Sequence, residues 1–131
     1  MKKVEVAAAV VINKGEILCV QRGENKLSYI SKKFEFPGGK IEKGETLKKT
    51  VIRELKEELM LDVIPEEKFL TVEHQYPDFH LTMHAFLCSC SDRQLKLTEH
   101  IDYKWLSPSE LPPLDWAAAD IPIVEQILNT S

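Results

Sequence analysis

The stretch Arg53-Glu54-Leu55-Lys56-Glu57-Glu58 constrains this chain more than any other. It lies in a run, residues 47–60, where Leu47, Val51, Leu55 and Leu59 recur every four residues; the pattern predicts a helix, with Thr46 capping its first amides. On that helix Glu54, Glu57 and Glu58 fall within about a 100° arc. Glu58 projects between Leu47 and Val51, on the apolar side. A solvated acidic face usually has a Lys or Arg three or four residues from each glutamate. Glu57 has Arg53 at that offset, whereas Glu54 and Glu58 have no cation there. Like charges so placed repel by roughly a few tenths of a kcal/mol per pair, and burial raises that cost steeply. A hard divalent cation with oxygen ligands offsets the repulsion directly. Mg²⁺ suits a site made of carboxylates plus substrate phosphates.

The rest of the chain reads as a mixed α and β domain. Its 131 residues predict a single domain over 1–131, long enough for a core without staples. Val4, Val6, Ala8, Val10 and Ile12 alternate with a face that is also nearly all apolar, as in a central strand. Asn13-Lys14-Gly15 reads as a turn and residues 17–20 as its hairpin partner. Residues 22–33 read as a polar loop, and residues 34–36 as a short strand ended by Pro37-Gly38-Gly39. Further strands are expected at 70–76 and 80–90, joined by a Pro77-Asp78 turn, and at 103–106. Ser107-Pro108-Ser109-Glu110 has the form of a capping box. A last helix is expected after Asp120, with Ile123, Ile127 and Leu128 facing inward.

Charge and cysteine content narrow the function classes. Lys plus Arg total 17 against 21 Asp plus Glu, a formal net charge of −4; this disfavours polymeric nucleic acid, which attracts a basic face. Cys19, Cys88 and Cys90 contain no CxxC and read as reduced thiols of a cytoplasmic protein. Lys2 and Lys3 before an apolar run imitate a leader, but Glu5 interrupts the run, which reads as a strand. No run approaches the ~18 apolar residues of a membrane span.

Pro37-Gly38-Gly39 stands ahead of the acidic helix, and adjacent glycines allow positive φ and close approach of backbone to a ligand. Gly39 and Gly44 have the spacing of a phosphate-binding P-loop, with Thr46 in its last place. Glu45 occupies the lysine position, where a carboxylate repels phosphate, so this is no P-loop.

Together, Gly39, Glu45, Arg53, Glu54, Leu55, Glu57, Glu58 and Leu61 resemble the box of the Nudix hydrolases, G-x5-E-x7-R-E-U-x-E-E-x-G-U. The one departure is Met60, which stands where the family has glycine. Glycine relaxes the backbone at a helix exit, so an altered exit is expected here. The resemblance covers the whole chain. Residues 34–42 and Ala119-Asp120-Ile121-Pro122 look like the MutT-type branch, which includes 8-oxo-dGTP and CTP pyrophosphohydrolases. It implies an α/β/α sandwich around a mixed sheet, with the box as a loop-helix-loop. It also implies hydrolysis of a nucleoside triphosphate to the monophosphate and pyrophosphate by a monomer or homodimer.

The resemblance further implies that Glu54, Glu57 and Glu58 bind Mg²⁺ or Mn²⁺, with the Gly38 carbonyl as a further ligand. Glu99 lies where the family often supplies a ligand or base. Arg53 is expected to orient the carboxylates and to touch substrate charge. Arg22 and Lys40 are candidates for phosphate contacts, and Glu45 for holding the loop. Which glutamate takes the proton from water stays open. Phe36 and Tyr76 are candidates for the base pocket, as is Asp120, which also suits a helix N-cap. An ionised Asp120 only accepts hydrogen bonds and suits the exocyclic amine of cytosine; a protonated one imitates asparagine and suits 8-oxoguanine. The segment around Asp120 looks closest to the CTP-type enzymes. His80 and His84 share a strand face, with no third nitrogen or sulfur ligand evident. Trp105 and Trp116 are expected in the core or a pocket wall.

Overall fold

The computed structural model describes residues 2–130. Seven strands form one sheet: β1 (Lys2–Asn13), β2 (Glu16–Gln21), β3 (Phe34–Glu35), β4 (Gly38–Lys40), β5 (Ile64–Gln75), β6 (Phe79–Ser89) and β7 (Asp102–Leu106). The path runs β3-β2-β1-β6-β5, with β4 beside β1 and β7 beside β2. β1 is parallel to β6 and antiparallel to β2 and β4, so the sheet is mixed. Two helices complete the fold, α1 (Leu47–Leu59) and α2 (Ile121–Thr130).

The alternation in β1 explains the layering. Ala7, Ala9 and Val11 point to one face and pack with Leu18, Val20 and the buried α1 residues Val51, Leu55 and Leu59. Ala8 and Val10 point to the other and pack with Ile17, Cys19 and the α2 residues Ile123, Val124 and Ile127. A strand covered on both faces has to be apolar on both, and this is the α/β/α arrangement the resemblance implies. Truncating a fully buried leucine such as Leu55 is expected to cost about 2–5 kcal/mol.

The helix begins as expected, with Thr46 Oγ1 accepting from Lys49 N at 3.2 Å. It ends at Leu59, and Met60 adopts the left-handed conformation itself (φ 51°) while its N–H donates to Lys56 O at 3.0 Å. The expected change at this exit is therefore absent. The turn is the one a glycine would make, and the methionine carries it at a backbone cost of roughly 1–2 kcal/mol.

Three boundaries and one side-chain direction differ from the sequence pattern. Gly38–Lys40 does not merely end the preceding strand but forms β4 against Val6, Ala7 and Ala8. β5 starts at Ile64, earlier than expected, because register shifts between Pro65 and Leu70 break the period of two that marks a strand. Tyr76 lies just past β5, in the turn closed by its N–H to Phe79 O at 2.8 Å. On α2 the inward residues are Ile123, Val124 and Ile127, while Leu128 lies on the exposed rim. The capping box forms around a short 3₁₀ turn, Pro108–Glu110. Among the described residues no helix is long and apolar enough to cross a membrane.

Candidate active site

The loop before α1 is shaped by contact distances. A Cβ on Gly38 would lie 2.2 Å from the carbonyl oxygen of Ala7, and one on Gly39 would lie 2.3 Å from the Glu54 carboxyl carbon. Both positions require the absence of a side chain: Gly38 to pair with β1, Gly39 to let the Glu54 carboxylate lie against the backbone. Neither has the positive φ that adjacent glycines permit; that conformation falls to Gly15 and Gly44.

Arg53 gathers the box. Its Nε donates to Glu45 Oε2 at 2.6 Å; Nη1 donates to Glu54 Oε1 and Glu57 Oε1, both at 3.0 Å; Nη2 donates to Glu45 Oε1 at 2.9 Å and to Lys40 O at 3.0 Å. All five guanidinium hydrogens are committed to protein acceptors. The expected orienting contacts are present, and no donor remains for a substrate in this arrangement. Glu54 thus has a cation after all, on the adjacent residue, where counting only helix-face offsets does not find it. Glu45 also accepts from Glu42 N and Thr50 Oγ1, both at 2.9 Å. The Arg53 hydrogen bond, followed by the Glu42 amide, holds its carboxyl down at about 2.

Glu58 is the opposite case. It is buried, and its Oε1 has no hydrogen-bond partner among the described residues. Burial first, then a hydrogen bond with Glu54 and the charges of Glu54, Glu35 and Glu99, raises its pKa. Glu99 is exposed, on a segment pinned to the end of α1: Thr98 N donates to Glu58 O at 3.0 Å, and Thr98 Oγ1 to Glu57 O at 2.8 Å. The structure thus brings Glu54 and Glu58 together, with Glu99 nearby, while Glu57 turns towards Arg53. Among the described residues no three carboxylate, imidazole or thiolate groups form a ready-made metal cluster.

A cleft of about 410 Å³ runs from this loop along the α2 face of the sheet. Gly38, Gly39 and Lys40 line it, as do Arg22, Glu35, Phe36, Tyr76 and Asp120. Phe36 is backed by Trp116, ring centroids 4.8 Å apart. Trp105 belongs to the α1 side, under the Arg93 guanidinium. Asp120 is buried, and its Oδ1 accepts from the Phe36 amide at 2.9 Å, across the fold and not from an amide of α2. Burial, followed by the charge of Glu35, pushes its carboxyl well above the ordinary 3.8. The Tyr76 hydroxyl accepts from Ala119 N at 3.0 Å, and its ring stacks on Tyr29 at 5.1 Å.

Tyr29, Leu27 and Ile30 were not singled out by the sequence pattern. They lie in the segment read as a polar loop, yet Leu27 and Ile30 line the cleft and Tyr29 hydrogen-bonds Asp78. Three apolar or aromatic residues within a polar stretch were the available signal. Glu35 and His100 were also missed; their side chains meet at 2.9 Å. His80 and His84 bond to neighbouring strand residues, His80 to Glu73 at 3.2 Å and His84 to Glu5 at 2.7 Å. All three cysteines are free; burial pushes the thiols of Cys19 and Cys88 up to about 12.

Residues 1–127 match the family model described as the NUDIX domain. The chain is 31% identical to the 8-oxo-dGTP diphosphatase of Escherichia coli (strain K12) over 128 residues, covering 97% of this chain and 98% of the relative. It is 32% identical to the CTP pyrophosphohydrolase of the same organism over 128 residues, covering 98% and 93%. The solution structure of the MutT protein of methicillin-resistant Staphylococcus aureus 252 matches with a TM-score of 0.75 at 38% identity, covering 100% of both chains.

Proposed function

The chain belongs to the NUDIX family, as a MutT-type pyrophosphohydrolase, and from that premise we propose that it cleaves a modified nucleoside triphosphate, 8-oxo-dGTP, to the monophosphate and pyrophosphate. The observation that carries the choice of base is Asp120. Its burial favours the neutral carboxyl, and Oδ1 is held by the Phe36 amide. The side chain then offers a donor and an acceptor together, as asparagine would, in place of the two acceptors of an ionised carboxylate. The cytosine expectation rested on the ionised form and on the likeness of residues 119–122 to the CTP-type enzymes.

A divalent ion fits the residues present. Glu58 Oε1 is a buried oxygen with no partner among the described residues, and such an atom is costly unless something satisfies it. Glu54, Glu57, Glu58, Glu99 and the Gly38 carbonyl would hold Mg²⁺ or Mn²⁺. When bound, such an ion neutralises charge on the phosphates and activates water for in-line attack.

The chain's own groups supply the rest. Lys40 and Arg22 line the cleft and attract the triphosphate tail. Gly38 and Gly39 let it approach the backbone. Arg53 and Glu45 hold the loop, and Arg53 acts on the reaction by fixing Glu54 and Glu57. The proton of the attacking water passes to one of the carboxylates Glu54, Glu57 or Glu99. Phe36 and Tyr76 wall the base.

A second reading, CTP or a 5-substituted dCTP, is favoured by the likeness of residues 119–122 to the CTP-type enzymes and by the 32% identical relative. Mg²⁺-dependent pyrophosphate release across 8-oxo-dGTP, dGTP, CTP, dCTP, 5-methyl-dCTP, dATP and ADP-ribose tests both. The proposal expects 8-oxo-dGTP to give the highest kcat/KM. A cytosine nucleotide at the head of the ranking replaces it with the second reading, and no turnover of any triphosphate removes both.

A further inference from the structure

Two polar side chains next to Arg22, Glu35 and His100, have no role in the function derived so far. His100 Nε2 donates to Glu35 Oε2 at 2.9 Å, and Glu35 Oε1 accepts from Arg22 at 3.2 Å. The three side chains are graded from interior to cleft: His100 is 6% exposed, Glu35 19% and Arg22 44%. The other imidazole nitrogen, Nδ1, is buried without a hydrogen-bond partner among the described residues. A histidine buried for packing alone would ordinarily have both ring nitrogens satisfied or be replaced by an apolar residue. Here one nitrogen goes unsatisfied while the other holds a carboxylate.

The backbone makes that contact rigid. Thr98, two residues before His100, is tied to the carbonyls of Glu57 and Glu58 at the end of α1. Ile101, one residue after it, donates to Gln21 O at 3.0 Å, at the end of β2 and next to Arg22. The segment also packs over Gly23, where an added Cβ would meet Ile101 at 3.5 Å. His100 therefore sits on a short bridge between the box helix and the end of β2, just before Arg22. Glu35, on β3, is the carboxylate that meets this bridge, and its charge is felt at both Glu58 and Asp120.

We propose that His100 is a positioning residue: it fixes the Glu35 carboxylate, which in turn aims the Arg22 guanidinium into the cleft to receive a substrate phosphate. A long arginine has many rotamers, and a pre-aligned one loses less freedom on binding anion. Glu35 held by a buried donor supplies that alignment without competing for the whole guanidinium, since a single oxygen engages it. The proposal rests on the assignment of Arg22 to phosphate binding made above.

The test measures KM and kcat for pyrophosphate release, with the panel member that turns over best, in Arg22→Ala, His100→Ala, His100→Gln and the Arg22→Ala/His100→Ala double variant. Arg22→Ala is expected to raise KM about tenfold, the scale of a charged hydrogen bond. His100→Ala should raise KM by a similar or smaller factor, with kcat within about twofold of wild type. His100→Gln, which keeps a donor near Nε2, should restore most of the loss. The double variant should be no worse than Arg22→Ala, because one residue acts through the other. Multiplied KM losses in the double variant overturn the proposal. So does an unchanged KM in His100→Ala when Arg22→Ala is impaired. An unchanged KM in Arg22→Ala instead overturns the phosphate assignment itself. Should His100→Ala not fold, Glu35→Gln replaces it in the same comparison, with the same KM rise expected.

Discussion

Glu58 on the box helix and Asp120 in the cleft are both buried acidic side chains, and they are built differently. Asp120 has a donor on one oxygen, the Phe36 amide, and burial favours a proton on the carboxyl. Glu58 Oε1 has no donor among the described residues, and the side chain's neighbours are the acidic Glu54, Glu35 and Glu99. Both pKa values rise through desolvation, so the direction of the shift does not separate the two roles. The hydrogen-bond partners do. A neutral, half-satisfied carboxyl is a recognition group. A buried carboxyl oxygen crowded by like charge and missing a donor is a place for a cation.

The largest expected effect breaks the Glu58 half of this contrast. Glu58→Gln and Glu57→Gln should each reduce turnover by at least about a hundredfold, with the far-ultraviolet circular dichroism unchanged. Wild-type protein should also gain thermal stability from Mg²⁺, by about 2.7 kcal/mol at a concentration one hundred times Kd. Glu58→Gln should lose most of that gain, whereas Asp120→Asn should keep it. Turnover near wild type in both glutamine variants, or an equal Mg²⁺ response in all three proteins, removes the distinction.

The next effect sharpens the Asp120 half. A neutral aspartic acid and an asparagine present similar groups, so Asp120→Asn should retain the wild-type substrate ranking. Asp120→Leu should lose it and be destabilised by about 1–3 kcal/mol, because the Phe36 amide is left unsatisfied. An ionised Asp120 predicts instead that Asp120→Asn changes the ranking. The pH dependence gives an independent check. The folded pKa lies above the ordinary 3.8, so above that value the fold holds a proton that the unfolded chain releases. The group's contribution is therefore complete below pH 3.8 and declines as pH rises towards the folded value. The stability of wild type relative to Asp120→Asn should fall with rising pH in denaturant titrations; a constant difference contradicts the neutral form.

How much of this was legible in the sequence depends on whether the cause is local. The α1 helix and the inward direction of Glu58 follow from a 3.6-residue period, and its cap from a threonine just ahead of it; all are present. The double alternation of β1 marks a strand buried on both faces, and it is central in the sheet. Arg53 binding to Glu54 lay outside a rule that counts only helix-face neighbours, because a guanidinium reaches sideways to the adjacent residue. The β5 boundary was hidden by an irregular register, which depends on the partner strand. Glu35 and His100 are 65 positions apart, and nothing in either local pattern links them. Asp120 was recognisable as a polar residue at a helix start. Its bond to Phe36 depends on the path of the whole chain, as does the state of its carboxyl.

The smallest expected effect returns to the box end, just beyond Glu58. Met60 makes a left-handed turn with φ 51° and is 54% exposed, so its side chain contributes little packing. Glycine adopts that conformation without the Cβ penalty, at the cost of a more flexible unfolded chain. The first effect is the larger at a helix exit, so Met60→Gly should stabilise the protein by about 1 kcal/mol. The measurement is the urea midpoint at unchanged m. Because Thr98 already ties the carbonyls of Glu57 and Glu58, the helix end should hold the carboxylates equally well in both proteins, and kcat should stay within about twofold. A larger change in kcat would mean that the strained turn itself sets the position of Glu58, and the box would then depend on Met60 as well as on Arg53.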